Sequence, residues 1–159
     1  MKRWNSLAVL ILFMVICLGI AGAGSMFTSG SVGNWYPMIQ KPSWTPPSWL
    51  FGPVWTVLYL MMATAAWLVW RRRKLDNVRG AFGLFVFQLA LNAAWSPLFF
   101  GLQNPLAGLF DIILLWAAIL VTLLSFWKIS PLAGALLVPY WLWVSFATAL
   151  NFAIWNMNR

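Results

Sequence analysis

Gln88, Asn92, Trp95–Ser96 and Phe99 recur at helical spacing, so their amide, indole and phenyl groups share one face of a helix. Trp55 and Tyr59 stand one turn apart on a second apolar segment. Trp143, Ala147 and Asn151 follow at successive turns of a third, with Pro139 one turn earlier. Groups of this kind can stack on a small molecule and orient it, but they do not run acid–base chemistry. The rest of the composition points the same way. There is no histidine, and the only acids are Asp76 and Asp111. Paired-carboxylate hydrolysis, Ser-His-Asp chemistry and histidine-ligated metal or haem sites all lack their parts. Cys17 is the single cysteine, which removes disulfides and thiolate clusters, so no metal ligands are assigned. Tryptophan, at 13 of 159 residues, is what remains to build a site from. An indole is apolar over its faces and donates one N–H at its edge.

These residues must be held by elements that live in lipid. The chain is 63% hydrophobic and 8% charged, with a mean hydropathy of +0.83. A soluble domain of this size could not bury so much apolar surface. Five apolar stretches, Leu7–Phe27, Gly52–Trp70, Ala81–Gly101, Leu106–Trp127 and Leu132–Trp155, are long enough to span a bilayer core of about 30 Å as helices. Barrel strands would be shorter and alternating. The expected fold is an all-α integral membrane protein, a single five-helix domain over 1–159 with a long structured first loop. Lys2, Arg3 and the Ala21-Gly22-Ala23 triplet give the first stretch some likeness to a cleavable signal. Its apolar run continues through Met26 and Phe27, and Ile16 before Cys17 opposes lipoprotein processing, so it is read as a retained span.

Lys2, Arg3, Arg71, Arg72, Arg73, Lys74, Arg79 and Lys128 carry eight of the ten basic charges and fall on one side of this arrangement. The positive-inside rule puts the amino terminus in the cytoplasm and the carboxyl terminus outside, with helical spans favouring a bacterial inner membrane. The net charge of +8 thereby reads as a topology signal with contacts to anionic lipid, and not as a nucleic-acid surface.

The first loop, Thr28 to Phe51, holds Pro37, Pro42, Pro46 and Pro47 together with Trp35, Tyr36, Trp44 and Trp49. Prolines oppose a regular helix there and stiffen the segment. Its aromatics suit either an interfacial belt or a folded lid over the mouth of the bundle. Asn92 and Asn151 are open to two readings, interhelical hydrogen bonding or contact with a ligand. Asp111, the one acid within a span, either pairs with a polar neighbour or backbone or binds a cation. Gly19/Ala23 and Ala90/Ala94 form small-xxx-small pairs that permit close helix approach. Trp4, Trp70, Trp127 and Trp155 lie at span ends, where an interface alone accounts for them.

Five blocks in order carry a resemblance: WYPMIQKPSWTPPSW from Trp35, GPVWTVLYLM from Gly52, QLALNAAWSPLFFG from Gln88, DIILLW from Asp111 and PYWLWVSFATALN from Pro139. Together they resemble the tryptophan-rich sensory protein/translocator protein family. The resemblance implies a five-helix bundle, usually a homodimer, with a pocket beneath the first loop. It also implies binding of porphyrins such as protoporphyrin IX and of other flat hydrophobic ligands, with no cofactor required. The positions that match are Tyr36, Pro46 and Pro47 in the loop, Trp55 in the second helix, Asn92 and Trp95 in the third, and Trp143 with Ala147 in the fifth. In some members the tryptophans matching Trp55 and Trp143 are linked to light- and oxygen-dependent porphyrin breakdown. The sterol motif of animal members requires a tyrosine where this chain has Phe152, with Arg159 beyond, so the strict motif fails and the resemblance does not extend to sterol binding.

Three functions are therefore in view. The first is a membrane receptor- or translocator-like protein that binds tetrapyrroles in an aromatic pocket, with a sensory or regulatory role. Its ligand-binding set is Tyr36, Pro46, Pro47, Trp55, Tyr59, Gln88, Asn92, Trp95, Phe99, Trp143 and Ala147. The second is a porphyrin-degrading enzyme using Trp55 and Trp143. The third is a transporter or membrane-assembly factor, against which the lack of an evident internal repeat counts.

Overall fold

The computed structural model describes residues 5–74 and 78–159. The expectations resting on Lys2, Arg3, Trp4 and Asp76 lie outside the described residues. Helices α1 (Ser6–Val32), α2 (Ser48–Arg72), α3 (Arg79–Ser96), α4 (Pro105–Ile129) and α5 (Pro131–Met157) make up the fold, with a short π-helical turn, Pro97–Gly101, after α3. There is no strand among the described residues. All five helices, α3 taken with its π turn, are long and apolar enough to cross a membrane.

The helix ends follow local chemistry. Asn5 caps α1 by accepting from the Leu7 N–H at 3.3 Å. Asn104 caps α4 more fully, its Oδ1 accepting from Leu106 and Ala107 at 3.1 and 3.0 Å, ahead of Pro105 in the first helical position. Only Ser130 separates α4 from α5, which opens on Pro131.

Three boundaries differ from the sequence expectation. Helix α1 continues to Val32, since Thr28, Ser29 and Ser31 are compatible with a helix once their hydroxyls find partners; Thr28 Oγ1 donates to the Gly24 carbonyl at 3.0 Å. Helix α2 begins at Ser48, directly after Pro47, because a proline pair ends an extended segment as readily as it blocks a helix. The non-helical loop is accordingly 33–47. The third span is not one continuous α-helix. Pro97 lacks an N–H, and the next turn widens so that Leu102 N–H bonds the Pro97 carbonyl at 2.8 Å.

The helices pack as a ring in the order α1, α2, α5, α4, α3, with α3 and its π turn closing back onto α1. The half of the bundle away from the first loop is filled. Met62, Ala63, Ala66 and Val69 of α2 meet Phe85 of α3, Ile119 and Phe126 of α4, and Leu137 of α5 in one buried cluster. Small residues allow the closest approaches. A Cβ on Gly134 would lie 2.8 Å from the Trp127 Cα, which fixes the turn between α4 and α5. One on Gly108 would lie 2.9 Å from the Phe99 ring. By contrast, Gly19, Ala23 and Ala90 are exposed, so the small-residue pairs that include them do not pack helices within the chain.

Candidate functional site

The half of the ring nearest the first loop is hollow. A cavity of about 610 Å³ opens there, lined by all five helices, the π turn and Tyr36 of the loop. This volume lies within the usual range for small-molecule sites.

Helix α2 presents Trp55 and Tyr59 to the cavity, α3 presents Asn92 and Trp95, and α5 presents Trp143 and Ala147. The π turn adds Phe99 and Phe100, both buried. The aromatic rings brace one another. Trp95 stacks on Phe99 with centroids 5.0 Å apart and meets Phe100 edge-on at 5.7 Å. Trp143 is held between Phe51 at 5.9 Å and Phe146 at 5.5 Å. Trp55 tilts against Tyr59 at 5.7 Å and meets Tyr140 edge-on at 6.1 Å. Such contacts favour fixed ring orientations and leave indole faces presented as rigid surfaces.

The amides are largely committed to the protein. Tyr59 donates its hydroxyl proton to Asn92 Oδ1. Asn92 Nδ2 donates to the Tyr140 hydroxyl at 2.7 Å, which in turn donates to Gln88 Oε1 at 2.8 Å. This chain joins α2, α3 and α5 through the bundle interior. Asn151 accepts from Trp95 Nε1 at 3.1 Å and donates to the Pro105 carbonyl at 2.8 Å, tying α3 to α5 and α4. The geometry thus realises interhelical hydrogen bonding for both asparagines, while both still line the cavity. Tyr140→Phe leaves Asn92 Nδ2 and Gln88 Oε1 without these partners. It is expected to cost about 1–2 kcal/mol of stability, read as a lowered melting temperature in detergent.

Of the eleven positions in the ligand-binding expectation, Tyr36, Trp55, Tyr59, Asn92, Trp95, Phe99, Trp143 and Ala147 line the cavity. Three do not. Gln88 is buried one turn deeper, on the far side of Asn92, and serves the Tyr140 hydroxyl. Pro46 and Pro47 form the approach to α2 without reaching the cavity wall. Asp111, the one acid within a span, is buried, and its Oδ2 has no hydrogen-bond partner. Among the described residues no three metal-ligating side chains are grouped.

The loop is tied down at several points. Tyr36 packs edge-on against Phe100 at 5.7 Å, and Trp35 against Phe99 at 5.7 Å. Lys41 Nζ donates to the carbonyls of Tyr36 at 2.6 Å and Ile39 at 2.9 Å and lies 4.8 Å from the Tyr36 ring centre. Burial pushes the Tyr36 phenol above its usual range, so it is neutral at physiological pH. Gln40 and Asn158 exchange two hydrogen bonds, both 2.9 Å, which fasten the loop to the end of α5. Trp49 and Met38, by contrast, are exposed. Belt and lid characters are divided between residues of the same segment.

Sequence reasoning passed over the α1 wall, which includes Leu18, Gly22, Ser25 and Ser29. Its signal was present, because Gly22, Ser25 and Ser29 share a face, but Gly19/Ala23 drew attention to the neighbouring one. Ile112 and Leu115 of α4 were indistinguishable from ordinary core residues in so apolar a helix.

The comparisons with known proteins converge. The model of the TspO/MBR family matches residues 11–156. The tryptophan-rich protein TspO of Chlorobaculum tepidum is 48% identical over 97% of this chain and 98% of its own length. That of Archaeoglobus fulgidus is 46% identical over 94% and 96%. The human translocator protein is 42% identical over 86% of this chain and 82% of its own length. With its five apolar helices and its cavity beneath the first loop, the chain belongs to the TspO/MBR family.

Proposed function

We propose that this integral membrane protein binds porphyrins, protoporphyrin IX among them, in the cavity beneath the first loop and has a sensory or regulatory role. The observation that carries the reading is a cavity walled by the ring systems of Trp55, Trp95, Trp143, Phe99 and Tyr36, whose amides are mostly engaged within the protein. A flat aromatic macrocycle finds stacking surfaces there and meets few polar groups that would have to give up partners. Each aromatic contact contributes about 0.5–1.5 kcal/mol beyond area burial. No histidine is available to ligate a central metal. The protein is therefore expected to discriminate by ring shape more than by metal. Absorbance titrations with protoporphyrin IX, its zinc complex and a non-planar apolar molecule of similar size test this. Comparable affinity for the two porphyrins and much weaker binding of the third is expected; equal affinity for all three contradicts it.

The same reading places the amino terminus in the cytoplasm of a prokaryotic cell, since Arg71, Arg72, Arg73, Lys74 and Lys128 are exposed at the end opposite the first loop. The protein is read as a homodimer on the strength of the family resemblance.

Porphyrin breakdown is a second reading, favoured by the presence of both Trp55 and Trp143 at the cavity wall. Dioxygen would be the oxidant and the bound porphyrin the photosensitiser. Illumination of the bound protoporphyrin is expected to bleach it more slowly in Trp55→Phe and Trp143→Phe. Unchanged bleaching removes this reading without affecting the first.

A further inference from the structure

The cavity wall is incomplete between α1 and α2. Gly22, Ser25 and Ser29 of α1 line the cavity and are exposed, where most residues of the cavity wall are buried or half-buried. So are Ser48, Gly52 and Thr56 of α2. Their spacings put each set on one helix face, so two stripes of small residues oppose each other along a slot. From Ser48 to Thr56 the slot runs about 12 Å along the helix axis, so it lies within one leaflet of the bilayer.

The anchoring of α1 explains the slot. At the end away from the first loop, Trp67 Nε1 of α2 donates to the Ser6 carbonyl at 2.9 Å, and Cys17 is fully buried in the same core cluster as Tyr59. Towards the loop end α1 turns its contacts to the other side. Gly24 sits against Ser96, Phe27 against Gly101, and Ser31 Oγ donates to the Phe100 carbonyl at 2.7 Å. At the end away from the loop α1 thus touches both α2 and α3, where Phe13 also stacks on Phe82 at 5.9 Å, whereas at the loop end its close approaches go to α3 and the π turn, beside the cavity on the α2 side.

Three of the slot's four hydroxyls bond a carbonyl of their own helix. Ser25 Oγ donates to the Gly22 carbonyl at 2.7 Å, Ser29 Oγ to the Met26 carbonyl at 3.2 Å, and Thr56 Oγ1 to the Gly52 carbonyl at 2.9 Å. An apolar molecule passing between them strips no hydrogen bond. On the loop side, Tyr36 lines the cavity, and the Lys41 and Gln40–Asn158 hydrogen bonds hold the loop that carries it.

We propose that the α1–α2 slot is a lateral portal through which flat apolar ligands pass between the bilayer and the cavity. The identity of the ligand as a porphyrin rests on the function proposed above; the portal itself does not. Gly22 and Gly52 offer a clean test, since a Cβ at either meets no atom within 4 Å. Gly22→Leu with Gly52→Leu places two branched side chains in the slot from positions where the Cβ itself meets nothing. Gly19→Leu with Gly83→Leu makes the same chemical change at two open positions away from the cavity.

In a Cys17→Ala background, a thiol is placed on the cavity wall by Ala147→Cys or, on the α4 wall, by Ile112→Cys. Protein in phospholipid vesicles is treated with an alkyl maleimide dissolved in the bilayer or a sulfonated maleimide confined to water. The alkyl reagent is expected to label faster, and slot filling is expected to slow it by about tenfold or more with no effect of the control pair. Equal labelling by both reagents, or an unchanged rate in the slot-filled protein, overturns the portal. In parallel, slot filling should slow protoporphyrin association and dissociation together. If protoporphyrin does not bind the unaltered protein while labelling depends on the slot, the porphyrin reading falls and the portal stands.

Discussion

Trp143→Leu is expected to weaken protoporphyrin IX binding by roughly thirtyfold, about 2 kcal/mol. Half of that is lost stacking, at about 1 kcal/mol for one aromatic face. The remainder is lost contact, with about 50 Å² of indole at about 25 cal/mol per Å². Trp143 is suited to this role because Phe51 and Phe146 hold its ring from two sides, so little ordering remains to be done on binding. Trp143→Phe keeps an aromatic face and should lose much less. It also removes an indole N–H that is buried without an acceptor, so the fold itself should be no less stable. Binding measured by fluorescence quenching and melting measured on the same samples separate the two effects. A Leu variant that binds like the unaltered protein contradicts the role given to Trp143.

Gly134→Ala carries the largest expected effect on stability. The added methyl would lie 2.7 Å from the Trp127 ring and 2.8 Å from the Trp127 Cα. A side chain can rotate away, but backbone cannot, so α4 and α5 must separate at their shared turn. Overpacking of this kind costs about 1–3 kcal/mol. Gly108→Ala meets the Phe99 ring and Asn151 Oδ1 instead, at 2.9 and 3.1 Å, and so pushes on the cavity wall itself. It should lower stability and porphyrin affinity together, whereas Gly134→Ala should lower the melting temperature with affinity per folded molecule retained. Thermal unfolding in detergent, followed by titration of the folded fraction, distinguishes them.

The spans were legible in the sequence because lipid imposes a simple requirement: every helix must be apolar over about 20 residues. The same requirement hid the interior. In helices as uniformly apolar as α1 and α4 the hydrophobic pattern does not mark which face turns inward, and Ile112, Leu115 and Leu18 carry no sign of lining a cavity. Polar residues on α2, α3 and α5 did carry that sign, since each is costly in lipid and turns inward, and the cavity aromatics Trp55, Trp95 and Trp143 share their faces. Their exact duty was not legible. Asn92 and Gln88 occupy one helix face, yet only Asn92 reaches the cavity, because Tyr140 from α5 inserts its hydroxyl between the two. Pro97 was visible too, but whether it would kink, end or widen its helix depends on what the following turn packs against, here Phe99 and Phe100 beneath Trp35 and Tyr36. Where α1 stops likewise depends on a tertiary contact, the Ser31 hydrogen bond to the Phe100 carbonyl.

A structure of the protein with protoporphyrin IX bound tests the central claim most directly. The macrocycle is expected between Trp55, Trp95 and Trp143, its faces against indole rings and its plane within the five-helix ring. A macrocycle found on the lipid-facing surface, or at the loop end among Trp35, Asn104 and Trp155, would contradict it.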